Sequence, residues 1–404
     1  MSQLSYMEKL LDGVEVEWKA LGEIGEFIRG NGLQKKDFTE MGFPAIHYGQ
    51  IYTKYGLSAD ETFTYVSDEL AKKLRKANKS DLLLATTSEN DEDVVKPLAW
   101  LGSDAAISGD MMLFRHKQNV KYLAHFFLTE NFQAQKRKYI TGAKVRRVSS
   151  GDLAKIIVPI PCPDNPEKSL AIQAEIVRIL DAFTAMTAEL TAELTAELSL
   201  RKKQYNYYRD QLLSFEEVDF EWKALGKIAE INTGQKPSEI LDTEAEFDYI
   251  NAGTTRSGYC ALSNCEGDTV TTPSRGQGGI GFVGYQNKSF WLGPLCYKIR
   301  SIDNKVLINK YLFYILQSKN KLLLGLKKEG GVPAVNKSDL AKLEVPVPSV
   351  TEQERIVEIL DKFDTLTTSI QEGLPREIEL RQKQYEYYRD LLLSFSKPHS
   401  HEAA

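Results

Sequence analysis

Arginine, lysine, asparagine and glutamine side chains cluster in two polar loops of this sequence, and the chemistry they offer is contact with nucleic acid. Arg, Asn and Gln can make paired hydrogen bonds to base edges, and Lys and Arg neutralise phosphates. The first loop spans residues 29–36, and residues 232–237 are its counterpart in the second half of the chain. The candidate DNA contacts in these loops are Arg29, Asn31, Gln34, Lys35, Lys36, Gln235 and Lys236.

A basic run supplies further candidates, because no acidic residue occurs between Asn131 and Gly151. Such a run can bind backbone phosphates, and the alternative is the solvated end of a helix. Residues 47–52 and 86–90 have the pattern of strand ends that continue into polar loops, and these could add base contacts. The candidates from these three segments are Lys138, Lys144, Arg146, Arg147, Tyr48, Gln50, Thr87 and Ser88.

Residues 276–281 match the GxGxxG pattern of dinucleotide-binding folds. That function requires a strand before the glycines and a helix that starts at the last one, whereas residues 282–291 have the pattern of strand, turn and strand. The sequence therefore favours a loop that brings backbone amides and a guanidinium group to a phosphate or a base. The candidates here are Ser274, Arg275, Gln277 and Lys288.

The sequence contains no signature of a catalytic site. It lacks the GxxxxGK[ST] phosphate loop, the Asn-Pro-Pro-aromatic motif of methyltransferases, and the HExxH and GxSxG motifs. The four cysteines form no CxxC pair and the five histidines are scattered, so neither a disulfide framework nor a zinc site is expected. The acidic residues 91–93 favour a solvated loop over a metal site. We therefore expect no catalytic residue, no metal and no cofactor in this chain.

An internal repeat determines which elements position these candidates. Three segments of the first half recur in the second: residues 17–22 as 221–226, residues 176–181 as 356–361, and residues 203–210 as 383–390. Residues 24–155 and 228–344, which lie between the repeated frames, show almost no mutual resemblance. Similar frames around dissimilar blocks are expected when two copies of one scaffold present two different recognition surfaces.

The central frame has the pattern of a long helix, because residues 172–215 contain no Gly or Pro and apolar residues step by four and three. The tetrad Thr-Ala-Glu-Leu occurs three times in residues 187–198, where it could act as a ruler or simply stabilise the helix. The second frame contains Gly373 and Pro375, which should break or restart its helix. The candidate spacer-setting residues are Thr187, Leu190, Thr191, Leu194, Thr195 and Leu198.

These boundaries predict an α+β protein in which two globular recognition domains are joined by two long antiparallel helices that form a coiled coil. The repeat predicts a pseudo-twofold arrangement with neighbouring termini. The expected segments are an N-terminal recognition domain (1–158), a central helical spacer (159–216), a C-terminal recognition domain (217–345), a C-terminal helical region (346–395) and a disordered tail (396–404).

The charges follow the same division. The net charge of -5 for 404 residues argues mildly against a nucleic-acid partner. However, residues 24–155 carry 20 Lys and Arg against 16 Asp and Glu, and residues 228–344 carry 14 against 12, so the acidic excess lies in the frames and tails. The chain has neither a signal peptide pattern nor an apolar run long enough for a membrane span, and a reducing, cytoplasmic location is expected.

With this repeat, the tetrads, and the Gln-Tyr-x-Tyr-Tyr-Arg-Asp elements at residues 204–210 and 384–390, the sequence resembles the DNA-specificity subunit of type I restriction-modification enzymes. The tetrads resemble those of the type IC branch. The resemblance implies that each variable block is a target-recognition domain that reads one half of a bipartite, asymmetric site in double-stranded DNA. It also implies that the helices set the number of unread base pairs, as tetrad number does in that family.

The resemblance further implies two kinds of protein partner. Two methylation subunits would hold S-adenosylmethionine and modify adenine, and motor-nuclease restriction subunits would use ATP and Mg2+. A coiled-coil adaptor that binds proteins instead of DNA is the alternative, although it does not explain why the basic surplus is confined to the variable blocks.

Overall fold

The computed structural model describes residue 11 and residues 13–214, 220–276, 278–328, 333–368 and 373–395. The chain forms two compact units, of which the first comprises Met1–Ala192 with Glu379–Ala404, and the second comprises Glu193–Ile378. Each unit therefore combines one variable block with segments of both helical frames. The expected disordered tail, residues 396–404, and the first ten residues of the N-terminal domain lie outside the described part of the chain.

The first unit is built from short strands and helices. Its strands are β1 (Val16–Ala20), β2 (Gly25–Arg29), β3 (Phe43–Ile46), β4 (Ser58–Ala59), β5 (Thr64–Val66), β6 (Lys76–Ala77), β7 (Leu82–Ala85), β8 (Thr87–Ser88), β9 (Lys96–Trp100), β10 (Ala105–Ile107), β11 (Met111–His116), β12 (Arg146–Arg147) and β13 (Ile157–Pro161). Its helices are α1 (Leu21–Ile24), α2 (Tyr48–Thr53), α3 (Asp68–Ala71), α4 (Val120–Phe127), α5 (Glu130–Arg137) and α6 (Ser150–Leu153).

Two sheets form the body of this unit, in the strand orders β2-β11-β7-β9-β4 and β5-β3-β10-β6. Strand β7 lies between two apolar cores, because successive side chains of a strand point to opposite faces. Leu82 and Leu84 pack with the helices, whereas Leu83 and Ala85 pack in a second core with residues such as Ile107. Burial on both faces explains why this strand reads in the sequence as a continuous apolar run.

Polar caps determine where the two main helices of this unit begin. The Asn119 side chain accepts hydrogen bonds from the backbone N–H groups of Lys121 and Tyr122 at the start of α4, at 3.0 and 3.2 Å. The Thr129 hydroxyl accepts from Phe132 N at the start of α5, at 3.3 Å. Such caps satisfy donors that have no partner within the helix itself.

The second unit has the same plan with fewer strands. Its strands are β14 (Glu221–Ala224), β15 (Ala229–Thr233), β16 (Phe247–Ile250), β17 (Tyr259–Cys260), β18 (Thr269–Pro273), β19 (Gly284–Gln286), β20 (Trp291–Leu292), β21 (Cys296–Ser301) and β22 (Glu344–Val347). Its short helices are α8 (Leu225–Ile228), α9 (Asn309–Ser318), α10 (Asn320–Gly325) and α11 (Lys337–Leu340).

The strand order shows that the two variable blocks are built alike. The sheet β15-β21-β18-β19 matches β2-β11-β7-β9, and β17-β16-β20 matches β5-β3-β10. In each block, one parallel pair joins corresponding strands, β3 with β10 and β16 with β20. Two sequences without detectable resemblance therefore form one topology.

The helical frames consist of α7 (Pro166–Leu212), α12 (Val350–Thr368) and α13 (Leu374–Leu392). Helix α7 is continuous through the tetrads, and Ala, Glu and Leu are strong helix formers. Gly373 precedes α13 with a φ of +81°, so the helix restarts where the sequence predicted a break. Within the first unit α7 packs on α13 through Phe183 and Tyr388, whose ring centroids lie 5.8 Å apart.

Among the helices that the structure describes, none is both long enough and apolar enough to cross a membrane. The mixture of helices with small sheets agrees with the expected α+β class.

Candidate nucleic-acid interface

A cleft of about 550 Å³ in the first unit is lined by residues that follow strands β3 and β7 in the chain. It brings together four of the candidates predicted from the sequence, Lys35, Tyr48, Thr87 and Ser88, with further polar groups that include Tyr52, Glu89, Asn90 and Asp93. Hydroxyl, amide and ammonium groups in one cleft can form hydrogen bonds with base edges and phosphates.

The segment that follows β3 forms helix α2 and is not a strand end as the sequence suggested. His47 caps this helix, because its Nδ1 accepts a hydrogen bond from Gly49 N at 3.2 Å. Burial lowers the pKa of His47, and the positive charge of Lys35 lowers it further. Tyr48 therefore faces the cleft beside a neutral imidazole and a lysine.

Gln50 is a correction to the list of candidates. It is only 7% exposed, and its amide group is engaged: Oε1 accepts from His47 N at 2.9 Å, and Nε2 donates to Thr64 Oγ1 at 3.2 Å. The sequence could not show this, because residue Gln50 lies on the face of a helical turn that packs inward.

Tyr52 and Asn90 line the cleft but were not singled out from the sequence. The Tyr52 hydroxyl lies 2.9 Å from Thr87 O, and burial, followed by the charge of Asp93, raises the pKa of Tyr52. The Asn90 side chain accepts from Asp93 N and donates to Asp93 Oδ2, both at 2.8 Å. Both residues belong to the polar segments that the sequence indicated, so only their orientation was missing.

The predicted basic run reaches the cleft through Val145, near its end. Strand β12 pairs with β8 so that Arg146 lies opposite Ser88 and Arg147 opposite Thr87, and Val145 lines the cleft. Arg147 is exposed, whereas Arg146 makes an ion pair with Asp91 at 2.8 Å. Lys138 and Lys144 are also exposed.

The other basic residues of that run are less available for contact with phosphates than the composition suggested. Lys136 is fully buried, and Arg137 is paired with Glu130. The run is therefore neither wholly a phosphate-binding segment nor wholly a solvated helix end, because packing divides its charges between the core and the surface.

The candidates in the loop at residues 29–36 are exposed, and two of them also bond to the backbone. Asn31 fastens this loop to its neighbour, since its Nδ2 donates to Lys73 O at 3.0 Å and its Oδ1 accepts from Arg75 N at 2.6 Å. Arg29 Nε donates to Gly109 O at 3.0 Å. Gln34, Lys35 and Lys36 are exposed at the start of a 3-10 turn (Lys35–Asp37).

The bonds of Asn31 reveal a basic edge that the sequence reading missed. Lys72, Lys73 and Arg75 are exposed next to the loop that carries Lys35 and Lys36. The signal was present, because no acidic residue occurs between Glu69 and Asp81, the same criterion that identified the run after Asn131. We call Lys72, Lys73 and Arg75 the basic edge.

The candidates of the second unit are scattered over several loops. Gln235, Lys236, Arg275 and Lys288 are exposed. Ser274 is 5% exposed and belongs to a backbone ladder, donating through N to Leu295 O and accepting at its carbonyl from Val335 N, both at 2.9 Å. Its assignment as a DNA contact is therefore corrected, and Gln277 lies outside the described residues.

A cleft of about 640 Å³ in this unit contains none of those candidates. Thr255 and Arg256, which come after strand β16 in the chain, line this cleft together with residues that include Phe282 and Gln286. The Arg256 side chain is 55% exposed, lies 4.5 Å from the centre of the Tyr259 ring, and approaches Asp248 Oδ1 to 3.8 Å. No charge run or motif surrounds Arg256 in the sequence, so only the fold could identify it.

The glycine-rich stretch does not have the surroundings of a dinucleotide site. The described residues after Gly276 form a turn and then strand β19, and no helix starts at Gly281. Within the described ranges, no group of three or more His, Cys, Asp or Glu side chains could hold a metal ion.

The tetrad residues lie on α7 where the sequence predicted a helix. Thr187, Leu190, Thr191, Leu194 and Leu198 are half-buried, and Thr195 is exposed. Their role in setting the number of unread base pairs stays a prediction.

The chain is similar to proteins of known role over almost its whole length. The model of the type I restriction modification DNA specificity domain matches residues 13–200 and 217–380. The EcoR124I/EcoR124II specificity subunit of Escherichia coli is 38% identical over 98% of this chain and 99% of its own length. The EcoprrI specificity subunit of Escherichia coli is 36% identical over 92% of this chain and 93% of its own length.

Two solved structures share the fold. One, from work on complex assembly and conformational transition of the type I R-M system, has a TM-score of 0.65 and 16% identity, covering 94% of this chain and 97% of that chain. The HsdS subunit from Thermoanaerobacter tengcongensis has a TM-score of 0.55 and 17% identity, covering 94% and 95%. The expected fold class, α+β with two globular domains and connecting helices, is confirmed.

Proposed function

Because this chain belongs to the family of type I restriction-modification DNA specificity subunits, we propose that its two units read different halves of one bipartite DNA site. Its role is DNA sequence specificity within a multi-subunit restriction-modification complex, and it is a non-catalytic subunit. The observation that carries the proposal is the pair of clefts. Residues after the corresponding strands β3 and β16 contribute to them, and the first contains lysine, serine and asparagine side chains whereas the second contains arginine, glutamine and phenylalanine.

The first unit would read its half through Tyr48, Ser88 and Asn90, with Arg147 and the basic edge on the backbone. The second would read its half through Arg256 and Gln286, with Lys236, Arg275 and Lys288 on the backbone. Arg and Asn or Gln are the side chains that discriminate bases by paired hydrogen bonds in the major groove. Phosphate contacts set the register without reading sequence.

Partner subunits would perform the chemistry that this chain directs. Two methylation subunits would bind the frames and bring S-adenosylmethionine to an adenine of the site, and restriction subunits would use ATP and Mg2+. Helix α7, with its tetrads, together with α12 and α13, would fix the number of unread base pairs between the two halves.

Selection of random DNA by the assembled complex tests the central claim. We expect two short half-sites separated by an unread gap, and recovery of no motif would contradict the proposal. Arg147→Ala should weaken binding through the first unit, and Arg256→Ala should relax preference in the other half only. Lys305→Ala, which changes an exposed lysine outside both clefts and outside the frames, is the control and should leave both halves unchanged.

Deletion of residues 191–194 tests the spacer. One tetrad adds about 6 Å to a helix, which is on the order of one to two base pairs at about 3.4 Å each. We expect a shorter gap with both half-sites unchanged. An unaltered gap would refute the proposal that the tetrads set the number of unread base pairs. A protein-binding adaptor would instead assemble with its partners and show no salt-sensitive affinity for DNA.

A further inference from the structure

Lys136 is the one fully buried lysine among the described residues, with 0% of its surface exposed. Its Nζ donates to Glu92 O and to Val94 O, both at 2.9 Å. None of the ion pairs among described residues includes Lys136, so backbone carbonyls are its hydrogen-bond acceptors. A buried ammonium is costly unless it is well bonded, so these two bonds have a structural task.

The carbonyls belong to the loop that forms a wall of the first cleft. Glu89, Asn90 and Asp93 of this loop line the cleft, and Val94 and Val95 anchor its end in the core. Val95 has a φ of +68°, a left-handed conformation that a β-branched residue adopts only when its surroundings impose it. The loop is therefore held in a shape that it would not keep by itself.

Lys136 also connects this wall to the helical frame. It lies on α5, and the first residue of that helix, Glu130, donates through its backbone N to Asp390 Oδ2 of α13 at 3.1 Å. One end of α5 is thus fastened to the frame within the first unit. Near its other end, a lysine holds the loop that presents Asn90 to the cleft.

The described part of the second unit contains no fully buried lysine or arginine. Its corresponding loop, between β18 and β19, meets helix α10 at Leu324, so closely that a Cβ on Gly281 would lie 2.7 Å from Leu324 Cγ. An apolar contact there replaces the two hydrogen bonds that Lys136 makes in the first unit. Apolar contact is less directional than hydrogen bonding, so the two loops are positioned by different means.

We propose that Lys136 is a positioning residue for sequence discrimination by the first unit, acting by fixing the loop at residues 89–95 and with it Asn90 and Ser88. The inference rests on the proposed function, since it concerns how that unit reads its half-site. Burial lowers the pKa of Lys136 to about 8, while Glu92, Asp93 and Asp91 raise it and Arg137 lowers it. Lys136 is therefore an ammonium at neutral pH, with three donors for the two carbonyls.

The test compares the assembled complex containing the parent chain, Lys136→Met or Lys136→Arg on DNA with single base-pair changes in each half-site. We expect Lys136→Met to reduce discrimination in the first half about tenfold and to leave discrimination in the second half unchanged. Lys136→Arg keeps a donor and should retain most of the discrimination. Lys155→Met, which removes an exposed lysine of the same unit, is the matched control and should behave as the parent.

The second half-site is an internal check on folding, since a merely unstable chain loses active complex without changing a ratio of affinities. Equal discrimination by the parent and Lys136→Met would overturn the inference while leaving the proposed function intact. Equal losses in both halves would overturn it as well, because they would indicate a general defect. A parent complex that shows no half-sites would overturn the proposed function and this inference together.

Discussion

In the first unit the Tyr122 hydroxyl donates to Pro159 O at 2.7 Å, and in the second the Tyr311 hydroxyl donates to Pro346 O at 3.0 Å. The side chains of Gln173 and Gln353 each accept from a backbone N–H, of Asn119 and Ile308 respectively, both at 2.9 Å. Strands β1 and β14 also pair with β13 and β22 in the same way. These contacts between frame and block thus recur in both units, including bonds made by block residues that share no obvious pattern.

The clefts show the opposite behaviour. A tyrosine, a serine and an asparagine line the first, and an arginine, a glutamine and a phenylalanine line the second. The repeated bonds hold each block to its helices, which leaves the residues that line the clefts free to differ. This separation is what a reader of two unlike half-sites requires.

One frame position differs in its partner. Asp181 lies 3.2 Å from His125 Nε2 in the first unit, whereas Asp361 accepts from the Tyr314 hydroxyl at 2.5 Å in the second. A lysine, Lys121 or Lys310, pairs with the aspartate in both units. The two units therefore share a carboxylate network but not its response to pH.

We expect the greatest loss of stability from substitutions at Gly30 and Gly234, where the backbone of each block packs most closely. A Cβ on Gly30 would lie 2.0 Å from Ser108 O, and one on Gly234 would lie 1.9 Å from Leu292 O. Because a backbone carbonyl cannot move aside, Gly30→Ala and Gly234→Ala should each cost their own unit about 3 kcal/mol or more.

Hydrogen exchange resolved by unit during urea unfolding would measure both losses. Gly56→Ala and Gly325→Ala are the controls, since nothing lies within 4 Å of a Cβ at either position. A loss of stability in one unit and none in the other would show that the chain segments after β2 and β15 are not equivalent.

The next effect uses the histidine that distinguishes the units. Burial lowers the pKa of His125 to about 4, although Asp181 opposes this. As pH falls below about 6.5, His125 of the unfolded chain takes up a proton that the folded unit does not, so this residue should lower stability by about 2 kcal/mol by pH 5. His116 of the same unit, whose pKa burial also lowers to about 4, should add a loss of similar size. Residues 193–378 contain no histidine, so the second unit should not share this loss.

Unfolding of each unit followed from pH 7 to pH 5 measures this difference. His125→Leu should remove about 2 kcal/mol of this fall and leave the part that His116 contributes. An equally steep fall in both units would show that other groups control it.

A smaller and equal effect is expected from the shared tyrosines. Tyr122→Phe and Tyr311→Phe each leave a buried proline carbonyl without its donor, which should cost about 1 to 2 kcal/mol. Urea midpoints of each unit measure the loss, and Tyr207→Phe on the exposed face of α7 is the control. Unequal costs would indicate that the frames are similar in geometry and different in energy.

The smallest effect concerns the basic edge, which we expect to contact the DNA backbone and not the bases. Replacing the basic edge, Lys72, Lys73 and Arg75, by alanine should lower the slope of log affinity against log salt by up to about three, at roughly 0.9 per phosphate contact. The half-site preferences should stay unchanged. Lys305→Ala, an exposed single change in the second unit, is the control, and a changed preference would assign the edge to base contacts.

Much of the candidate interface followed from residue types. Residue types alone pointed to Tyr48, Thr87, Ser88 and Lys35, which the cleft brings together, and to the basic run that contains Arg147. The sequence did not show that Gln50 and Ser274 are buried, because polarity does not reveal whether a side chain packs inward. It missed Arg256, since a lone arginine gains meaning only from the cleft around it.

The repeated frames, the long helix with its tetrads, the break before Leu374 and the location of the basic surplus can all be read from the sequence. These properties follow from local spacing and composition, which the chain displays directly. The common topology of the two unlike blocks, and the choice of polar groups that face a cleft, became visible with the fold. Strand pairing joins residues far apart in sequence, and many different side chains can satisfy the same backbone ladder.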